Sequence, residues 1–444
     1  MVKYKIEQGG EDLNSTGGIS LVGKLLNGLK NLKAIDNMIF GKVKHGRISH
    51  SGIIKSMAGL LSLGKSDYTC IEEYSHDNVF RESLGLDAVP SEENLRQRLD
   101  EMSGSKLDEL CEANTEMLSK VEDFGKLKSP YMEYTPFDAD VSPFDNSKSK
   151  REGVSWTYKG HDGFAPMFGY VGRFGYMLGC EFREGSQHSN KGALEFFSGC
   201  FKEADKLGIE NLLSRLDSAH DDAEVIKLHN DNKKFFIIKR NLRKEVPEQW
   251  LALAKRVGKC EKPRDGKKVY TGIASHLKPA GREDVGPVFA VFEVTERTID
   301  EKGEPLLIPE LEVETFWTNL FEEAETVIEL YHEHGTSEQF HSELKSDIGL
   351  ERMPSGSFAT NGLILRIAMM AFNALRIIGQ NALQFKELIP IKINVERRRL
   401  RSVMQDLIYI ACKRVTHSGN VILKFGRNCP WFEVFRQLHL KFTY

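Results

Sequence analysis

The stretch YHEHGTSEQFHSELK, residues 331–345, spaces Tyr331, Glu338 and Lys345 seven residues apart and puts His334 one turn before Glu338. An α-helix turns by ~100° per residue, so a step of seven falls roughly 20° short of two turns and predicts these side chains on one face. A carboxylate flanked by a basic group and a phenol suits a site that holds a cation and neutralises phosphate oxygens. Glu and Lys alone would also suit a solvated amphipathic helix. The place of this stretch in the chain favours the first reading.

At 444 residues, 40% hydrophobic and 28% charged, the chain reads as a globular protein of two to four domains. Its net charge of −3 hides a segregation. Residues 233–282 hold 15 Lys and Arg against 4 Asp and Glu, and residues 391–444 hold 11 against 3. Basic segments in an otherwise acidic chain suit local contact with a polyanion, although two solvated basic surfaces would look the same. The seven cysteines are scattered and never form a C-x-x-C pair, so neither a disulfide framework nor a zinc knuckle is indicated, and a reducing cytoplasm fits. The amino terminus lacks a signal-like apolar core, and the most apolar run, 363–378, is cut by Arg366 and Arg376. That run reads as a buried helix, and no membrane partner is expected.

Periodicity divides the chain further. Residues 1–125 read as short helices, with Ser91 as an N-cap followed by Glu92 and Glu93. From about 130 a βββαβαβ order appears, ending with a strand at 235–239. Residues 241–319 read as a β-rich interruption around the turn Asp300-Glu301-Lys302-Gly303. A helix over 321–345 follows, and a basic helical region, 351–444, closes the chain.

Three acidic positions could assemble a metal site on this α/β framework: Asp140, with Asp138 on the same strand face, Asp217 at a strand end, and Glu338 on the late helix. Strand ends and adjoining helices converge on one crevice in parallel parts of a sheet. Carboxylate ligands favour Mg²⁺ or Mn²⁺ over zinc. FDADVS around Asp140, LLSRLDSAH around Asp217 and YHEHGTSEQFHSELK around Glu338 together resemble the signatures of DDE-type insertion-sequence transposases. The last is similar to the family pattern Y-x2-R-x3-E-x6-K, matched at Tyr331, Glu338 and Lys345, with His334 where the family has Arg. Arg183-Glu184-Gly185, Trp317-Thr318-Asn319 and the apolar helix with Asn373 are similar to further family features. The resemblance spans roughly 130–420 and includes the β-rich insertion of the group-one DDE branch.

The resemblance implies an RNase H-like core, a mixed β-sheet flanked by helices, in segments 130–240 and 320–350. It adds a β-rich insertion at 241–319, a helical end-binding domain at 1–125 and C-terminal helices at 351–444. It further implies a transposase that binds the terminal inverted repeats of its element, cleaves double-stranded DNA and joins the 3′-OH to target DNA, as a homodimer in the synaptic complex. Asp140, Asp217 and Glu338 would hold Mg²⁺ or Mn²⁺, with Asp138 as a neighbouring ligand, while Tyr331, His334 and Lys345 position phosphates. Asp140 is favoured over Asp138 because Asp140-Val141-Ser142 is more similar to the family motif. An RNase H-like nuclease and a catalytically silent DNA-binding derivative are the alternatives.

Other motifs carry less. Residues 59–66, GLLSLGKS, match the P-loop pattern, but they end an apolar helix with no strand before them, which makes Gly64 a helix terminator. His334, Glu338 and His341 offer zinc ligands with no fourth partner nearby. Arg397, Arg398, Arg399 and Arg401 suggest a basic amphipathic helix that tracks DNA backbone or is merely solvated. Trp250 and Trp317 suit core burial better than base stacking. Asn94, Arg96, Gln97 and Arg98 could read base edges, or form an ordinary helix surface.

Overall fold

The computed structural model describes residues 2–41, 47–105, 108–279, 282–300, 302–392 and 394–443, with the side chains of residues 334, 336 and 337 outside the description. Residues 122–143 and 155–341 form one unit, and residues 1–121, 144–154 and 342–444 form another.

The first unit is built on a single sheet. Its main strands are β1 (Glu133–Val141), β2 (Met167–Val171), β3 (Tyr176–Glu181), β4 (Leu212–Leu216) and β5 (Phe235–Lys239), then β6 (Lys259–Arg264), β7 (Lys267–Ile273), β8 (Phe289–Ile299) and β9 (Pro305–Thr318). Their spatial order is β6-β7-β8-β9-β5-β4-β1-β2-β3. β1, β2 and β3 are antiparallel neighbours, whereas β4 runs parallel to β1 and β5 parallel to β4. The parallel steps need crossovers, supplied by α1 (Ala193–Lys206) and α2 (Ala223–Asp231).

Residues 241–319 are strand-rich and continue the core sheet. β9 pairs antiparallel with β5, so the hairpins β6–β9 extend the same sheet. The segment also contains a helix, α3 (Pro247–Val257), which starts with proline at its first position, where the missing N–H costs nothing.

Alternation along the strands sorts the faces. Tyr134, Leu213, Ile237 and Phe316 lie under α4 (Ala324–His332), against its Ala324, Val327, Ile328 and Tyr331. Phe137 faces the other way and packs on Phe197 and Phe201 of α1. His229 of α2 is sealed there, 4.9 Å from the Phe201 ring and 5.6 Å from Phe236, with its Nδ1–H donating to the Val225 carbonyl at 2.7 Å.

The second unit centres on the helix Phe358–Leu383, which packs on helices His50–Ser62, Glu92–Ser103 and Asp108–Leu118. This helix is long and apolar enough to cross a membrane, but 89% of its most apolar window is buried inside the protein. The amino-terminal helices and the carboxyl-terminal region thus share one core. That region is not wholly helical: Cys412–His417 and Asn420–Phe425 form a hairpin, with Leu13–Asn14 added to it. Ser418 and Gly419 both have positive φ, 50° and 77°, as a two-residue hairpin turn demands. The P-loop look-alike is a helix end. Gly64 N donates to Leu61 O and Lys65 N to Leu60 O, with Gly64 at φ 63°, which is a Schellman closure.

Burial pushes the pKa of His229 down to about 4, so the folded protein holds it neutral while the unfolded chain protonates near 6.5. Between pH 6.5 and 4 the unfolded state therefore binds the extra proton, and stability falls as pH falls. The expected loss is up to about 3 kcal/mol across that window. In urea titrations His229→Phe should flatten the pH dependence by that amount, and an unchanged slope would contradict the assignment.

Candidate active site

Arg215 sits in the middle of the apolar strand β4, a position that tolerates a guanidinium only with a partner. Parallel register sets it opposite Asp138. Its Nε and Nη2 donate to the two Asp138 oxygens at 2.8 and 2.6 Å, and Nη1 donates to the Leu330 carbonyl at 3.0 Å. Both side chains are 3% exposed or less. The guanidinium therefore ties β1, β4 and the end of α4 together.

Two residues further along each strand come Asp140 and Asp217. Side chains alternate, so both project to the same face as the ion pair, at the carboxyl ends of adjacent parallel strands. Asp140 is about a third exposed. Asp217 caps the short 3-10 turn Ser218–His220 by accepting from Ala219 N at 3.1 Å. This differs from the expectation for Asp138. Its carboxylate is committed to Arg215 and buried, which separates the two aspartates of β1 by environment.

The late segment is not one continuous helix. α4 ends at His332, residues Glu333–Thr336 form a 3-10 turn, α5 (Ser337–Ser342) follows, and Glu343–Asp347 is π-helical. Gly335, a poor helix former, lies in the break. The 100° step assumed for the spacing of Tyr331, Glu338 and Lys345 is therefore not uniform along this segment. Tyr331 is buried against Phe316, ring centroids 4.7 Å apart, and burial followed by the negative charge of Asp217 raises its pKa well above the ordinary phenol range. Lys345 belongs to the other unit, with its ammonium 5.7 Å from the Phe144 ring centre. The His334 side chain lies outside the described residues.

Phe340 and His341 dock α5. The Phe340 ring sits 5.1 Å from Tyr170 and lies so close over Gly175 that a Cβ there would collide with it. His341 packs between Phe168 and Tyr170, the β2 residues paired with Asp140 and Asp138, and its Nε2 is 3.7 Å from Asp140 Oδ2. Glu338 is exposed and one turn earlier on α5, hence a same-side neighbour of His341. Among the described residues no group of three or more His, Cys, Asp or Glu side chains is gathered closely enough to hold a metal ion. The zinc reading of His334, Glu338 and His341 includes the His334 side chain and so lies outside the described residues.

With two aspartates at adjoining strand ends and a glutamate-bearing helix docked beside one of them, comparison with known families becomes informative. A model of the transposase DDE domain, group 1, matches residues 2–443. The chain belongs to this family. No curated protein matches it. Among solved structures, a piggyBac transposase in a synaptic complex with hairpin DNA is similar, with a TM-score of 0.44 and 11% identity over 88% of this chain and 80% of that one.

Several residues in the family-like motifs are structural here. Arg183 is buried and donates to Ser189 O at 2.9 Å and to Glu181 at 2.7 Å, while Gly185 lies so close to the carbonyls of Ser155 and Gly163 that any side chain would collide with them. Trp317 donates from Nε1 to Asp221 at 2.9 Å, Thr318 Oγ1 donates to Phe236 O, and Asn319 Oδ1 accepts from Phe236 N. The last two bonds fasten the end of β9 to β5, and the first ties it to the turn before α2. Trp317 and Trp250 are both buried, with the Arg240 guanidinium 4.4 and 5.4 Å from their ring centres. Asn373 is buried and donates to Asn114 Oδ1 at 2.7 Å.

Two basic segments make more internal pairs than their sequences suggest. A helix begins only at Leu400, and Arg397 pairs with buried Glu343, Arg398 with Asp406, and Arg399 and Arg401 with buried Asp347. These arginines balance carboxylates within their own unit; Arg398 is buried, while Arg399 and Arg401 remain about half exposed. Arg98 likewise is buried, donating to Ile48 O and bonded to His50, while Arg96 and Gln97 engage Asp100 and Glu93 along their helix.

Arg215→Ala strands the buried Asp138 charge and should cost about 3–5 kcal/mol in urea unfolding. The double variant Asp138→Leu/Arg215→Leu, which strands nothing, should recover much of that loss. A single variant within 1 kcal/mol of the parent would refute the assignment of this pair as the clamp.

Proposed function

We propose that this chain is an active DNA transposase of an insertion sequence, cutting at the terminal inverted repeats and joining the resulting 3′-OH to target DNA. The observation that carries the reading is the placement of Asp140 and Asp217 on one face at neighbouring parallel strand ends, with α5 docked on Asp140 through His341. The RNase H-like reading of the core is supported by its three antiparallel strands followed by two parallel ones with helical crossovers.

Asp140, Asp217 and Glu338 would hold the metal through their carboxylate oxygens. An all-carboxylate set suits Mg²⁺ or Mn²⁺. When bound, two such ions activate the attacking oxygen and stabilise the leaving one in an in-line displacement at phosphorus. In cleavage a water oxygen bonds to phosphorus as the 3′ oxygen leaves; in joining, that 3′-OH attacks a target phosphate and displaces its 3′ oxygen. Asp138 and Tyr331 act as positioning residues, holding Arg215 and the base of α4. Lys345 and His334 neutralise phosphate oxygens, residues 1–125 contribute to end recognition, and a homodimer brings two ends together, in the cytoplasm where the DNA is.

Asp140→Asn, Asp217→Asn and Glu338→Gln should each lower Mg²⁺-dependent cleavage of element-end DNA about a thousandfold, with binding retained. Cleavage at the parental rate in any of them would remove that residue from the site.

Ion pairs occupy Lys234, Lys239, Arg240, Lys255, Lys259 and Arg282 within the basic stretch 233–282. Within the remainder, the phosphate-binding part we favour is the β6–β7 tip, where Lys262, Arg264 and Lys267, with Asp265 and the Lys268–Glu296 pair, line a groove of about 350 Å³. Replacing Lys262, Arg264 and Lys267 by Ala should reduce the salt slope of duplex binding by about 2–3, since each phosphate contact contributes ~0.9. An unchanged slope would place the DNA elsewhere.

A further inference from the structure

Between β1 and β2 the chain makes a small hairpin in which Ser155–Trp156 pairs with Asp162–Phe164. Its turn is closed by Thr157, whose N and Oγ1 both donate to His161 O at 2.9 and 2.8 Å, and by Gly160 at φ 82°. The turn is held against the carboxylate site. Tyr158 OH donates to the carbonyl of Val141, the residue after Asp140, at 2.7 Å. Withdrawal of that hydroxyl from water, and then the charges of Asp140 and Asp217, raise the Tyr158 pKa, so the two aspartates are its electrostatic neighbours. Gly185 secures the other side, because its lack of a side chain lets the backbone of Ser155 and Gly163 come into contact.

The side chains displayed there are unusual for a turn. Trp156 is 65% exposed and Tyr158 is 61% exposed, and the Lys159 ammonium lies 5.5 Å from the Tyr158 ring centre. The remaining tryptophans, Trp250, Trp317 and Trp431, are 3–6% exposed. An exposed indole two residues before a tyrosine that neighbours two carboxylates, with a cation on that tyrosine's ring, has the elements of a single-strand binding platform: a stacking face for a base and a charge for the adjoining phosphate.

We propose that the Trp156–Lys159 turn binds an unpaired nucleobase of the DNA beside the phosphate being cut, Trp156 stacking on the base, Lys159 meeting its phosphate and Tyr158 anchoring the turn to β1. This rests on the reading of Asp140 and Asp217 as the cutting site. Base stacking is indifferent to sequence, so the platform would favour frayed, mismatched or distorted DNA ends over fully paired ones.

The test is made on the full chain in EDTA, where no cutting occurs. Two labelled duplexes of the same sequence are titrated, one blunt and one with three unpaired nucleotides at an end, following label anisotropy and tryptophan emission. The unpaired-end duplex should bind more tightly and quench the emission. Trp156→Ala should weaken its binding about 5- to 100-fold, as expected for one stacked base, with blunt-duplex binding unchanged. Trp156→Phe should keep most of the affinity and abolish the quenching, and Lys159→Ala should weaken binding in low salt more than in high salt. Equal affinity of the parent and Trp156→Ala for the unpaired end would overturn the proposal, as would full quenching in Trp156→Phe. Because no metal is present, these outcomes are independent of whether Asp140→Asn and Asp217→Asn abolish cleavage.

Discussion

A guanidinium buried in a β-strand cannot give up its charge, and everything around Arg215 is arranged to satisfy it. Asp138 occupies two of its donor positions and the carbonyl of Leu330 takes a third. The first contact fixes the register of β1 against β4, and with it the juxtaposition of Asp140 and Asp217. The second fixes where α4 ends on the sheet, and so where the segment bearing Glu338 begins. One buried ion pair coordinates three pieces of chain that lie 77 and 115 residues apart in sequence. Such pairs are weak sources of net stability, but a misregistered β1 would leave the charge unmatched, so the pair makes wrong pairings expensive.

The same logic runs through the second unit on a larger scale. Glu343 is held by Arg376 and Arg397, and Asp347 by Arg399 and Arg401. Part of the carboxyl-terminal positive charge, that of Arg397, Arg399 and Arg401, is therefore matched by carboxylates on residues 343–347. Local charge density in a sequence overstates what is available to a ligand whenever the opposite charges come from distant segments.

The strand order was legible because period-two apolar runs, separated by Gly and Asn, are the direct imprint of a half-buried sheet. β4 and β5 and their crossover helices fell within a few residues of expectation. The candidate site was legible in part. Asp140 and Asp217 could be singled out because their flanking motifs were specific, but the buried role of Asp138 depended on a partner from another strand. The sequence did carry a hint, an arginine inside LLSRL, since a charge in an apolar strand demands a counter-charge. The break at 333–336 was missed because periodicity arguments assume an unbroken helix, and a single glycine is weak evidence against one. The hairpin at Cys412–His417 and Asn420–Phe425 was missed because its Ser-Gly turn was outweighed by the helical pattern on either side. Tyr158 carried no signal beyond an aromatic residue in a glycine-closed turn.

The antiparallel seam between β5 and β9 has an evolutionary consequence. Hairpins added beyond that seam grow the sheet sideways without disturbing β1 and β4, so the outer strands can lengthen, shorten or change charge while the carboxylate end stays put. Removing them entirely is another matter, since it would turn β5 into an open edge whose unpaired amides invite association with other chains. Drift in this lineage should therefore concentrate at the distal turn at 300–304, where Asp300 accepts from the amides of Lys302 and Glu304. The bonds from Trp317, Thr318 and Asn319 near β5 mark where it must stop.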